Sequence, residues 1–130
     1  MGIIFSRVYV GFIGLFSMWS VVYYWYSFDL VFAERGMQAV SDLGRANVRA
    51  DVGGFFLAVS CFTIIAALRK DRNALVPAIV LFSASLMGRL ISVAIDGNNS
   101  DVETYIIIEA NVIALLCGAY FAWGKKPEGL

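Results

Sequence analysis

Two charged residues, Arg89 and Glu109, stand inside long apolar stretches of this sequence. A charge deep in a membrane costs about 2.5–3.5 kcal/mol on insertion scales, so it usually faces a partner inside a helical bundle. An arginine and a carboxylate in that position can pair with each other, hold a small polar ligand or take part in proton transfer. The chain has no histidine, which removes catalytic triads and most zinc sites.

The spacing of the two residues predicts that they meet. Arg89 lies six positions before Ile95, the predicted outer end of one helix, and Glu109 lies seven positions after Val102, the predicted start of the next. At 1.5 Å per residue, both lie roughly 9–11 Å below the same boundary. Turn-forming residues over 96–101 make the two helices antiparallel neighbours. We therefore expect a salt bridge between Arg89 and Glu109.

Other polar residues are expected around this pair. Ser85, Arg89 and Ser92 follow an i, i+4, i+7 spacing and share one helix face, and Tyr105 lies one turn before Glu109. Residues flanking the second and third apolar stretches fall on the same predicted side. The sequence therefore predicts a polar pocket open to the outer face, with the candidate residues Ser85, Ser92, Tyr105, Asp96, Asn47, Arg49 and Asp51 around the pair.

Two alternatives to a functional pocket remain. A buried ion pair can serve only to fix the register between two helices. Arg49 is more simply interpreted as an interfacial charge than as a pocket residue. No set of catalytic residues, no metal site and no cofactor is indicated by the sequence.

The composition predicts the helices that position these residues. Of 130 residues, 60% are hydrophobic and 15% are charged, whereas a soluble domain is about 25% charged. The mean hydropathy is +0.76. These values argue against a soluble globular protein, a disordered chain, a disulfide scaffold and a nucleic-acid binder. A bilayer core about 30 Å thick needs about 20 apolar residues, and four stretches meet this requirement: 8–28, 52–68, 74–95 and 102–123.

The predicted fold class is therefore all-α, a single domain over 1–130 that forms a bundle of four transmembrane helices. Between the first two spans, Met37, Val40, Leu43 and Val48 recur at helical spacing. This pattern predicts a short helix on the membrane surface. An irregular loop that leads into the second span is the alternative.

The basic residues predict the orientation of the bundle. Lys and Arg near span ends favour the cytoplasmic side. The side that holds both termini carries six bases, and the other side carries three, Arg35, Arg45 and Arg49. Both termini are therefore expected in the cytoplasm. The six bases are Arg7, Arg69, Lys70, Arg72, Lys125 and Lys126.

Several short motifs around the predicted pocket carry a resemblance. They are Asn47-Val48-Arg49-Ala50-Asp51-Val52-Gly53-Gly54, Gly88-Arg89-Leu90, Asp96-Gly97 and Glu109. Together they resemble a bacterial family of small four-span inner-membrane proteins, known only as a domain of unknown function. The resemblance covers roughly 45–120 and leaves the first span weakly matched. It implies four helices and a bacterial inner membrane, and no activity, substrate or site residue.

Two functions are consistent with these features. Small size and little extramembrane mass favour a non-enzymatic accessory or scaffold subunit, with a protein partner in the membrane or a second copy of the chain. The alternative is a lipid-, quinone- or other small-molecule-binding protein, or a small transporter, that uses the outward-facing pocket. A carboxylate paired with an arginine is held in its ionised form, which disfavours a proton-coupled carrier.

The predicted orientation is tested by a reporter enzyme that is active only outside the cytoplasm, fused to the C-terminus. We expect no activity from this fusion, since six bases hold that side in the cytoplasm. A fusion at Ser100, on the opposite side, is the control and should be active. Activity at the C-terminus together with silence at Ser100 would overturn the topology.

Overall fold

The computed structural model describes residues 2–124. This part of the chain contains four long helices, one short helix and one 3-10 turn, joined by short connections. The predicted all-α class is confirmed for this part of the chain. Four of the helices are long and apolar enough to cross a membrane. The elements are α1 (Ile3–Tyr26), α2 (Phe28–Glu34), α3 (Asp42–Arg69), the 3-10 turn (Arg72–Ala74), α4 (Leu75–Asp96) and α5 (Ser100–Ala122).

The four long helices alternate in direction, so the bundle has two distinct ends. We call the "turn end" the one that holds the start of α1, the segment 70–74 and the end of α5. The "loop end" holds the segment 27–41, which includes α2, and the connection 97–99. Helix α1 packs chiefly against α3, and α4 against α5, while contacts of α3 with α4 and of α1 with α5 complete the ring.

The third and fourth predicted spans agree with the observed helices to within two residues. Local signals fix these boundaries. Gly97 takes a positive φ of 88° that ends α4, and the Asn99 side chain accepts a hydrogen bond of 2.8 Å from the backbone N–H of Asp101 at the start of α5. The first helix runs over Ile3–Tyr26 rather than 8–28. Arg7 does not mark the start of α1, because its side chain bonds to the last turn of α3 and the helix continues before it.

The second predicted span, which corresponds to α3, departs most from its prediction. This helix begins at Asp42 and not at 52. The Ser41 hydroxyl caps it by accepting a 3.1 Å hydrogen bond from the N–H of Gly44, and Asp42 favours the positive end of the helix dipole. A helix of 28 residues is about 42 Å long, so its polar first turns extend beyond the length needed to cross a bilayer core. The apolar sequence begins at 52, and the helix begins ten residues earlier.

The short helix before α3 also lies elsewhere than predicted. Met37 and Val40 are in non-helical backbone, and Leu43 and Val48 belong to α3. The prediction of a surface helix on these four residues is wrong, because α3 begins only after the Ser41 cap; the alternative, an irregular loop that leads into the second span, is what these residues show. The helix between the first two spans is α2, which follows α1 after a break at Ser27.

Side chains fasten the turn end of the bundle. Arg7 on α1 donates from Nε to the carbonyl of Ala67 at 2.7 Å and from Nη2 to the carbonyl of Leu68 at 3.0 Å. These carbonyls belong to the last turn of α3, where helix ends leave acceptors free and a cation is favoured. Trp123 donates from its indole nitrogen to the hydroxyl of Ser6 at 2.6 Å and so links the end of α5 to α1.

The apolar core fills the same half of the bundle. Its members come from all four long helices and the residue that ends α5: Val10, Val59, Ala66, Ala67, Leu75, Ala78, Phe82, Leu116, Ala119 and Trp123. The rings of Phe55 and Phe82 meet edge to face with centroids 5.6 Å apart and form the limit of this core toward the loop end. Removing apolar area from water contributes roughly 25 cal/mol per Å². This gain does not apply between helices that are already surrounded by lipid, so close packing of these side chains stabilises the bundle there.

Gly14 lies where α1 and α3 pack closely. A Cβ atom at this position would lie 2.7 Å from Cγ1 of Ile64 and 2.8 Å from Oγ1 of Thr63. One turn earlier, a Cβ atom on Gly11 would meet only the Cβ of Ala67, at an ordinary 3.8 Å. Small residues that let helix backbones approach are the usual basis of packing inside membranes.

These two glycines form a matched pair for a stability test. Gly14→Ala is expected to destabilise the bundle by about 1–3 kcal/mol through overpacking against Thr63 and Ile64. Gly11→Ala is expected to be neutral or to stabilise by up to about 1 kcal/mol, since alanine favours a helix. Thermal unfolding in mild detergent measures both. Equal melting temperatures for the two variants would contradict the proposed packing of α1 on α3.

Candidate functional site

The predicted contact between α4 and α5 is present. Nε of Arg89 lies 3.0 Å from Oε1 of Glu109, and the Ser85 hydroxyl donates to the same oxygen at 2.9 Å. The Glu109 side chain is 10% exposed and that of Arg89 is 31% exposed. The tight connection over 97–99 sets the two helices antiparallel, and the one-turn spacing of Ser85 and Arg89 places both donors against one carboxylate.

The pair leaves one acceptor and several donors unused within residues 2–124. Oε2 of Glu109 is enclosed and receives no hydrogen bond from these residues. An unsatisfied buried acceptor costs about 1–3 kcal/mol, more when it is charged, and such groups gather at functional sites. Arg89 bonds through Nε alone, so neither of its Nη groups has an acceptor in this part of the chain.

Tyr105 brings a second guanidinium group to the pair. Its ring centre lies 4.8 Å from Cζ of Arg89 and 4.6 Å from Cζ of Arg35. Arg35 follows the last turn of α2 and also lies 5.7 Å from the ring centre of Tyr24. Each cation–π contact contributes about 0.5–2 kcal/mol, more when water is excluded. Two helices and one connecting segment thus place two positive charges on one aromatic ring.

Ring contacts also hold the connecting segment against α3. Arg45 and Arg49, both on α3, place Cζ 5.3 Å and 5.0 Å from the ring centre of Phe28 on α2. The indole of Trp25 donates to the carbonyl of Arg49 at 3.1 Å. The Arg45–Asp29 ion pair at 3.0 Å is solvent-exposed and contributes little. These contacts settle α2 over the loop end and so determine where Arg35 lies.

A cavity of about 510 Å³ opens beside the ion pair. Its polar lining lies toward the loop end and consists of Tyr24, Arg35, Asp51, Ser85, Arg89, Tyr105 and Glu109. Its apolar lining lies deeper, against the core, and includes Val52, Phe55, Phe56, Leu81, Phe82 and Ala84. The volume falls in the range of small-molecule sites, about 300–1,000 Å³. The cavity is therefore amphipathic, with charges at one end and aromatic rings at the other.

The structure brings together part of the predicted pocket. Ser85, Asp51 and Tyr105 line the cavity with the ion pair. Ser92, Asp96, Asn47 and Arg49 do not line it. Ser92 and Asp96 are exposed on the last turns of α4, beyond the mouth of the cavity. Asn47 lies one turn before Asp51 on α3, farther toward the loop end. Arg49 lies two residues from Asp51, so its side chain leaves the helix on the opposite face, where its guanidinium group contacts Phe28.

Sequence reasoning did not identify several residues that line the cavity. The sequence identifies Arg35 only as one of the outer bases. Its position depends on how the segment 27–41 folds, and no short-range sequence pattern predicts that fold. Tyr24 belongs to an aromatic run, Tyr23–Tyr26, that is typical of a membrane interface. Phe55 and Phe56 are adjacent at the start of the second apolar stretch, next to the polar turns that precede it. This pair of rings was the available sequence signal for the apolar part of the cavity lining.

No family model, curated protein or solved structure matches this chain. The resemblance to a small four-span bacterial family therefore stays a prediction that rests on the short motifs that carry it. Function must be argued from the geometry of the cavity and its charges.

The ion pair itself is tested by single and double replacement. Arg89→Leu is expected to destabilise by about 3 kcal/mol, because it leaves a nearly enclosed carboxylate without its cation. Glu109→Leu should cost less, about 1–2 kcal/mol, since Arg89 is partly exposed and reaches solvent. The double variant should be more stable than the sum of the two losses implies.

Melting temperatures in mild detergent provide the measurement. Asp29→Leu, which breaks the exposed pair with Arg45, is the control and should change the melting temperature little. Strict additivity of the Arg89 and Glu109 replacements would show that the two residues are not coupled.

Proposed function

We propose that this protein is a multi-pass membrane protein that binds a small amphipathic molecule, a lipid or a quinone, in the cavity beside Arg89 and Glu109. The observation that carries this proposal is the division of the lining, with two arginines at the loop end and aromatic rings at the inner end. A wholly apolar ligand would leave the arginine donors unused, and a wholly polar one would leave the rings without contacts.

The cavity is also open to the surroundings of the bundle. Ala84 lines it and is exposed on α4. The wall at this position has only a methyl group, so the cavity reaches the outer surface of α4 there. Lateral access is what a ligand dissolved in the bilayer requires, since its chain need not pass through water.

The orientation proposed from the sequence places this site in the outer half of the membrane. Arg7, Arg69, Lys70 and Arg72 lie at the turn end, which we assign to the cytoplasm of a bacterial cell. Two of the three bases of the loop end, Arg45 and Arg49, rest on the ring of Phe28, which supports a structural role for these two.

A second candidate function is that of an accessory subunit, and one surface supports it. Phe12, Phe16 and Trp19 are exposed on α1 and continue to Tyr23, with successive ring centroids 6.4, 5.8 and 5.0 Å apart. A continuous row of rings on one helix face is suited to packing against a helix of a larger membrane protein. One purification from native membranes tests both candidate functions.

The purification starts from native membranes in mild detergent and ends with the intact mass of the complex. We expect the chain to retain a small molecule of defined mass that lipid extraction also recovers. Ala84→Trp fills the cavity and should lower the retained amount about tenfold or more. Ala94→Trp, exposed on α4 outside the cavity, is the matched control and should retain the molecule.

Three outcomes would count against the binding proposal. They are a wild-type mass equal to that of the bare chain, a mass explained by a protein partner alone, and retention of the ligand by Ala84→Trp at the wild-type level. The second of these outcomes would favour the accessory subunit. The melting temperatures of both variants show whether each one is folded.

A further inference from the structure

Two guanidinium groups at the mouth of the cavity carry hydrogen-bond donors that nothing in residues 2–124 accepts. Arginine has five N–H donors, and Arg89 uses only the one on Nε. Arg35 forms no ion pair or side-chain hydrogen bond in this part of the chain, and its contacts are with the rings of Tyr24 and Tyr105. A ring contact occupies the flat face of a guanidinium group and leaves its edge available in the plane.

Both guanidinium groups line the same cavity and contact the same ring. Their Cζ atoms lie 4.6 Å and 4.8 Å from the centre of the same ring, that of Tyr105. Within the bundle, Oε1 of Glu109 accepts from Nε of Arg89 and from the Ser85 hydroxyl, so the Nη edge of Arg89 remains for a ligand. Guanidinium edges match the spacing of oxygens on a phosphate or a carboxylate, which they bind through paired hydrogen bonds.

Two acids, Asp51 and Glu109, line the cavity together with the two arginines. Glu109 compensates the charge of Arg89 through one oxygen. Asp51 also lines the cavity, but it is exposed and pairs with neither arginine. Arg35 thus has no ion-pair partner within residues 2–124, and it lies above a pocket floored by Phe55 and Phe82.

We infer that the polar end of the ligand is an anionic phosphate, bound between Arg35 and Arg89 on the ring of Tyr105, and that its acyl chain lies against Phe55 and Phe82. This inference rests on the proposed function and narrows it, because it selects an anionic phospholipid over a quinone. Free phosphate has the same head chemistry but has no part that contacts the rings. Glu109 and Ser85 act as positioning residues that orient Arg89.

The test measures binding to the delipidated full chain in a neutral detergent. The probes are a short-chain phosphatidylglycerol, a short-chain diacylglycerol with the same chains and no phosphate, a short-chain quinone and inorganic phosphate. We expect the phosphatidylglycerol to bind at least about tenfold more tightly than each of the others. We also expect its affinity to fall as salt is raised, because charge contributes to it.

The key variant is Arg35→Gln, at an exposed position after α2, which removes one cation together with its contacts to the rings of Tyr24 and Tyr105; its melting temperature shows whether the bundle stays folded. It should weaken phosphatidylglycerol binding about tenfold and leave diacylglycerol binding unchanged. Arg49→Gln, a loop-end arginine outside the cavity, is the matched control and should bind phosphatidylglycerol as the wild type does.

The outcomes separate this inference from the proposed function. If no probe binds, the proposed function itself fails. If diacylglycerol or the quinone binds as tightly as phosphatidylglycerol and Arg35→Gln has no effect, the cavity binds an amphiphile and the anionic head is overturned. If inorganic phosphate binds as tightly as the phospholipid, the role of the aromatic floor is overturned.

Discussion

A carboxylate inside an apolar bundle needs donors, and Glu109 obtains them from the neighbouring helix. Arg89 and Ser85 both bond to one of its oxygens, so α4 and α5 are fixed in register at a point about a third of the way along α5. This contact also determines where the remaining Arg89 donors lie. The position of the cavity and the contact of Arg89 with the Tyr105 ring follow from the depth at which the pair forms.

The two halves of the bundle satisfy their polar groups in different ways. At the turn end, donors and acceptors meet within the protein, as in the bonds from Arg7 to the last carbonyls of α3 and from Trp123 to Ser6. At the loop end, aromatic faces hold the arginines; Arg45 also pairs with Asp29, whereas Arg35 and the Nη groups of Arg89 have no acceptor in the described chain. Close packing accompanies the first arrangement and a cavity accompanies the second.

The contrast between Glu109 and Arg35 shows how far the sequence determines the site. The Arg89–Glu109 contact was predictable because a tight turn makes α4 and α5 antiparallel and equal depths then align the two residues. Helix boundaries were predictable where a cap or a turn glycine acts locally, as at Asn99 and Gly97. The position of Arg35 was not, because it depends on how α2 packs on α3 through Phe28. Contacts of that kind involve side chains far apart in the sequence and leave no periodic signal.

The bonds of Arg7 to Ala67 and Leu68 join residues about sixty positions apart, and this separation has a consequence for how the protein is made. When α1 leaves the ribosome, the carbonyls that will accept from Arg7 have not yet been synthesised. Until α3 is complete, the guanidinium group must stay at the aqueous surface, which its place near the start of α1 allows. Membrane insertion of α1 and its docking on α3 are thus separate events, and the arrival of the last turn of α3 completes the first helix pair.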